Sequence, residues 1–161
     1  DVYYWIKNGV ADLGFLSVSS AKDIPIEPLY KDPLLCVLPK GSRKDGAKPY
    51  IDIEEMRAHQ FVTQRECTDA DIQNFLKENS LRIQSSYHVV DDLSTIALVA
   101  KGFGICLMPE LVMRDIPYQV DSYPVCPQTC RIIGIAALHT EFMAPAVRML
   151  YNHILEMYKS I

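Results

Sequence analysis

Three prolines crowd into the stretch SSAKDIPIEPLYKDP, at positions 25, 28 and 33. A proline fixes its own φ, carries no N–H and pushes the preceding residue away from helical space. The sequence therefore predicts neither a helix nor a central strand here, but an extended crossing segment. LLCVLP follows between Pro33 and Pro39 as a buried strand. Whatever fold the chain adopts must accommodate a stiff connector of this kind near residue 30.

Around that connector, strand and helix signals alternate. Val2 to Asn8 reads as a helix that Gly9 ends, and a short strand follows from about Asp12 to Leu16. Asp52 and Glu55 form a capping pair for a helix near Ile53 to His59. QFVT is then a strand, and TDADIQNFLKEN a helix with Thr68 or Asp69 as cap and Asn79 at its stop. SYHVV is a strand, and Asp91 or Asp92 caps the helix Leu93 to Lys101. GICLMP is the next strand, with Pro109 opening a short helix to about Arg114. YQVDSYPV and CRIIGIAAL are extended. The last element starts at Pro145 and places Val147, Leu150, Tyr151, Ile154 and Tyr158 on one face, packed against the sheet. The alternation predicts an α/β fold with largely parallel pairing and helices on both faces.

Gly102-Phe103-Gly104 could suggest a phosphate cradle, but such a cradle follows a strand and opens a helix. Here the order is reversed, so the amides face the negative end of a helix dipole. Gly102 is predicted to cap the helix in the left-handed conformation, and Gly104 to let the chain turn without a Cβ clash.

Composition narrows the function class. A net charge of −4 argues against a surface that grips nucleic acid by counterion release. The basic cluster Lys40, Arg43, Lys44 and Lys48, broken by Gly41, Asp45, Gly46 and Pro49, reads as a solvated loop. No apolar run approaches the roughly 18 residues of a membrane helix, and no basic stretch followed by an apolar one is found in the sequence, so it gives no support for secretion. The opening DVYYWIKNG already shows a helical face at Val2, Trp5 and Ile6, so the sequence reads as starting inside a structure. Five cysteines, at 36, 67, 106, 126 and 130, are an odd and scattered set, which fits a reducing, cytoplasmic compartment. Neither they nor His59, His88, His139 and His153 have metal-ligand spacing. No nucleophile, base and orienting group can be assembled, so no catalytic residue, cofactor or metal is expected.

DDLSTIALVAKGFGICLMPE resembles a segment of LysR-type transcriptional regulators in which a helix, a Gly-x-Gly stop and a short strand ending in Pro form part of the effector-binding domain. GVADLGFL, PLYKDPLLCVLPKGS and FMAPAVRML match further motifs of the family, in order, across essentially the whole chain. The resemblance implies a fold like that of type 2 periplasmic binding proteins: two Rossmann-like lobes joined by two crossover strands, with an effector between them. Lobe I, incomplete, would hold residues 1–36 and 125–161, and lobe II residues 37–124. It further implies a homodimer or higher homo-oligomer, a small anionic metabolite as effector, and DNA contact only through a winged helix-turn-helix absent from this sequence. Self-association would use apolar surface of DLGFL and RIIGIAAL. A solute-binding protein of a transport system shares the fold and is the competing reading; a small enzyme on the same scaffold would need a catalytic set that is not visible.

Ligands of open α/β sheets sit beyond the carboxyl ends of strands. That directs attention to Ser17, Val18 and Ser19 after DLGFL, although serine-rich loops are commonly just solvated turns. The loop TQRECT combines hydroxyl, amide and guanidinium groups with a helix start, which suits an anion. Thr63, Gln64, Arg65 and Thr68 are the effector-binding candidates there, and Phe103 is expected to wall the same cleft. Cys67 lies beside Arg65 just before a helix, conditions that favour a reactive thiolate. It also falls near the reactive cysteine of peroxide-sensing family members. The following helix offers no second cysteine, so an ordinary loop residue is the competing assignment.

Overall fold

The computed structural model describes residues 2–44, 46–64, 69–83, 87–89 and 91–158. The chain divides into two compact units, Asp1–Asp32 with Arg131–Ile161, and Pro33–Cys130, so it passes between them twice.

The first unit contains helix α1 (Val2–Lys7), strand β1 (Gly14–Ser17), the first half of β2 (Ile26–Pro39), β8 (Cys130–Ala136) and helix α6 (Pro145–Tyr158). β8 lies between β1 and β2, and β1 runs antiparallel to it with Phe15 opposite Ile135. Ile6, Ile24 and Ala136 form its buried centre, with Val2, Tyr3, Leu16, Ile26 and Leu138 packed around them. The start of the unit is clasped by Asp23, which pairs with Lys7 and accepts a hydrogen bond from Tyr3 Oη at 2.6 Å. These two contacts hold the Asp23 carboxyl at about 2, well below its usual range.

The second unit is three layers deep. β2 continues through it, flanked by β6 (Cys106–Pro109) and β7 (Val120–Cys126), both antiparallel to it, and β7 pairs in parallel with β3 (Ile51–Asp52). β4 (Val62–Gln64) and β5 (Tyr87–Val89) form a parallel pair joined to the start of β6 by a bridge between Phe61 and Ile105. Alternate residues of β2 and β6 feed two cores, as a pleated strand covered on both faces must. Cys36, Leu38 and Leu107 meet α2 (Ile53–Arg57) and α3 (Ala70–Glu78) through Met56, Phe75 and Leu76. Val37, Cys106 and Met108 meet α4 (Asp92–Ala100) through Ile96 and Val99, with Val112 and Met113 of α5 (Glu110–Met113) beside them.

Several expectations are corrected. The proline-rich segment is extended, as expected, but it is not separate from the strand after it: Pro28 and Pro33 lie inside the single 14-residue strand β2. Residues 26–32 have one neighbour, β8, so Pro28 sits in what is locally an edge, where a missing donor is tolerated. Pairing is largely antiparallel rather than parallel, because β2 runs out against β6 and β7; parallel ladders occur at β3–β7 and β4–β5. On α6 the inner stripe is Val147, Tyr151, Ile154 and Leu155, whereas Leu150 and Tyr158 fall a column away and are exposed. Arg43 is not a solvated loop residue. Its Nε and Nη2 each donate to Glu55 at 2.8 Å, its other donors reach Lys48 O and Tyr50 O, and it stacks 4.6 Å from the Tyr123 ring. A rigid five-donor fork can satisfy such a set where a lysine cannot.

The Gly-x-Gly segment behaves as predicted. Gly102, at φ +84°, ends α4, and Gly104, at φ +146°, admits a close approach: a Cβ there would lie 2.4 Å from Gln60 O. That carbonyl accepts Ile105 N at 2.9 Å, so Gly104 is what lets β6 dock beside β4. Gly104→Ala, which adds both strain and a backbone clash, is expected to cost roughly 2–4 kcal/mol in denaturant unfolding. Gly102→Ala, strained but in open space, is expected to cost only about 1 kcal/mol. Equal costs would remove the close-approach explanation.

Candidate functional site

In the second unit, Asp69 begins α3 by accepting Asp71 N at 2.9 Å and Ile72 N at 3.2 Å. Asp91 begins α4 in the same way, accepting Ser94 N at 2.8 Å and Ser94 Oγ at 2.7 Å, while Thr95 Oγ1 donates to Asp91 O at 2.9 Å. Of each pair of possible caps in the sequence, the described geometry puts Asp69 and Asp91 in place; Thr68 lies outside the described residues. The Ser94 contacts hold the Asp91 carboxyl below its usual value.

Between these helices is a small recess of about 40 Å³, open on one side. Its walls are Phe61, Val62 and Thr63 of the β4 region, Ile72, Gln73 and Leu76 of α3, and Cys106, Leu107 and Met108 of β6. Thr63, Asp69, Gln73 and Thr95 bring its polar groups. Thr63 Oγ1 is 3.1 Å from His88 Nδ1, a contact set by the parallel register that places Thr63 beside His88. An apolar floor with a few hydroxyl and amide groups at its border suits a small ligand with both apolar and polar parts. Among the described lining residues none is cationic. A second recess, with Arg57, His59 and Arg82 at its border, is more polar, but Arg57 is already paired with Glu54 and donates to Asn79 O.

The sequence candidates are distributed as follows. Thr63 lines the first recess. Gln64 is described as a strand residue paired with Val89. Arg65, Cys67 and Thr68 lie outside the described residues. Phe103 is 42% exposed in the turn after α4 and does not line the recess. In the first unit, Ser17 ends β1 and its hydroxyl is 2.9 Å from that of Ser19, with Val18 partly exposed between them. Asp69, Gln73 and Thr95 line the recess without having been singled out as binding residues. Asp69 was legible only as a cap, and the burial of Thr95 depends on the distant β6. Among the described residues no group of three or more His, Cys, Asp or Glu could hold a metal ion, and no helix is long and apolar enough to cross a membrane.

A family model described as the LysR substrate binding domain matches residues 1–159. The chain belongs to that family. It is 22% identical over 144 residues to LrrA of Synechococcus elongatus, described as an HTH-type transcriptional regulator, covering 88% of this chain and 48% of the relative. The chain thus spans about half the length of that curated relative. The effector-binding domain of QuiR, solved in complex with shikimate, superposes with a TM-score of 0.80 at 22% identity, covering 98% of this chain and 76% of that one. The CcmR regulatory domain of Synechocystis PCC6803, solved with 2-PG, gives 0.81 at 15% identity, covering 98% and 78%. The fold of this LysR substrate-binding domain is therefore that of effector-binding domains, a mixed α/β fold like that of periplasmic binding proteins.

The α4 cap beside the recess gives a direct test. Asp91→Ala is expected to lower the thermal midpoint by a few degrees near pH 7. Because the folded-state carboxyl titrates below its usual 3.8, the benefit is present above that value. It shrinks as pH falls through the depressed folded value. A gap between wild type and variant that stays constant down to the acid limit would exclude the carboxylate as its source.

Proposed function

We propose that this domain senses a small anionic metabolite and that, within a longer regulator, the bound state is passed through a homodimer to a DNA-binding winged helix-turn-helix. The observation that carries the reading is the family match over residues 1–159, joined to a small-ligand recess bordered by Thr63 and the start of α3. Two proteins of the same fold were solved with shikimate and with 2-PG, which supports a small acid as ligand class. Thr63, Gln64 and Thr68 supply hydrogen-bond donors and Arg65 the charge partner; Phe103, outside the recess, is left out of the ligand's walls. Signalling is limited to the difference in ligand affinity between two arrangements of the protein. Self-association draws on apolar side chains of the first unit that are exposed in the single chain, among them Phe15 at 54%, Phe142 at 84% and Met149 at 75%.

Thermal-shift screening with small carboxylates and phosphorylated acids tests this. A true effector at a hundred times its Kd adds about 2.7 kcal/mol to stability. Arg65→Met and Thr63→Val are each expected to weaken it on the order of ten-fold or more, through lost charged or neutral hydrogen bonds. A panel of acids without a shift, or a ligand indifferent to both substitutions, would overturn the assignment.

A further inference from the structure

Four of the described cysteines divide into two kinds. Cys36 and Cys106 are buried on β2 and β6, and burial pushes the Cys36 thiol up to about 12 and raises that of Cys106 well above its usual value. Cys126 and Cys130 are exposed, one ending β7 and the other opening β8, with only Pro127, Gln128 and Thr129 between them.

The register brings these two together. β7 pairs antiparallel with β2 so that Pro124 lies opposite Leu35. Cys126 follows two residues beyond Pro124, still extended and paired with Asp52 of β3. Yet Leu34 N donates to Thr129 O at 3.0 Å. One step along β2, about 3.3 Å, is thus matched by five residues of the opposing chain, from Pro124 to Thr129. The excess chain is thrown out as a small loop whose two feet are the cysteines. A disulfide asks for Cα atoms about 4.4–6.8 Å apart, a span that a loop with three residues between its feet can close. The loop is also where the chain leaves the second unit: Cys130 is its last residue, and Arg131 opens the return through the first.

We propose that Cys126 and Cys130 form a reversible dithiol–disulfide pair that staples the connector between the two units, with a low-molecular-weight disulfide as oxidant. One thiolate attacks a sulfur of the small disulfide, forming a mixed disulfide and expelling one thiolate. The second cysteine, as thiolate, attacks the protein sulfur of that mixed disulfide and expels the other. Two protein thiols lose two electrons and two protons, and the small disulfide becomes two thiols. No other pair of described cysteines can do this, since Cys36 and Cys106 are closed to solvent and on opposite faces of the sheet.

The test uses the whole chain carrying Cys67→Ser, so that every remaining thiol is one described above. Incubation of the reduced protein with oxidised glutathione, then alkylation and intact-mass and peptide analysis, is expected to give a species lighter by two hydrogens. Cys126 and Cys130 should be unalkylated and free of glutathione, and dithiothreitol should restore both. Cys126→Ser should instead retain glutathione on Cys130. The reduced protein should also bind phenylarsine oxide one-to-one, and each single variant should lose that binding. Glutathione on both cysteines without an internal bond, or both still open to alkylation after prolonged incubation, would overturn the pairing.

Discussion

The carboxylate of Asp32 is fully buried, and Arg131 Nε donates to it at 2.8 Å. These residues stand at the two points where the chain passes between its units. A buried carboxylate is costly unless it is paired and hydrogen-bonded, so the outgoing strand β2 and the returning strand β8 are held in one register here. The pair joins positions ninety-nine residues apart, and it lies next to the Cys126–Cys130 loop. Everything in the second unit is threaded between its two partners.

β2 shows how a strand can satisfy conflicting demands by changing neighbours along its length. Its first half has a single neighbour and tolerates Pro28; its second half, Leu34 to Leu38, is flanked by β6 and β7 and is buried. The sequence read those halves as a connector and a strand because proline chemistry is local, while the choice of neighbour is not. The same distinction explains the direction of pairing. Alternating helices and strands suggested parallel ladders, but a chain that crosses out and back must pair its crossing strands antiparallel.

Features encoded within a few residues were legible. The caps at Asp52, Asp69 and Asp91, the stop at Gly102 and the need for glycine at 104 all follow from short-range chemistry. Arg43 was not, since its partners at Glu55, Lys48, Tyr50 and Tyr123 are assembled by the fold. The recess was half legible for the same reason. Thr63 was visible in its loop, whereas Gln73 reaches the recess through the rotation of α3, and Thr95 through the packing of α4 on β6.

A double-mutant cycle on Asp32 and Arg131 tests the buried pair most directly. With unfolding free energies for Asp32→Asn, Arg131→Met and the double variant, Arg131→Met is predicted to cost about 3 kcal/mol, because it takes a guanidinium donor from a fully buried carboxylate, and Asp32→Asn less, because Arg131 is partly exposed. The double change should cost at least about 2 kcal/mol less than the sum. Single costs below about 0.5 kcal/mol that add without coupling, as for an exposed ion pair, would contradict the claim that this contact holds the crossing strands in register.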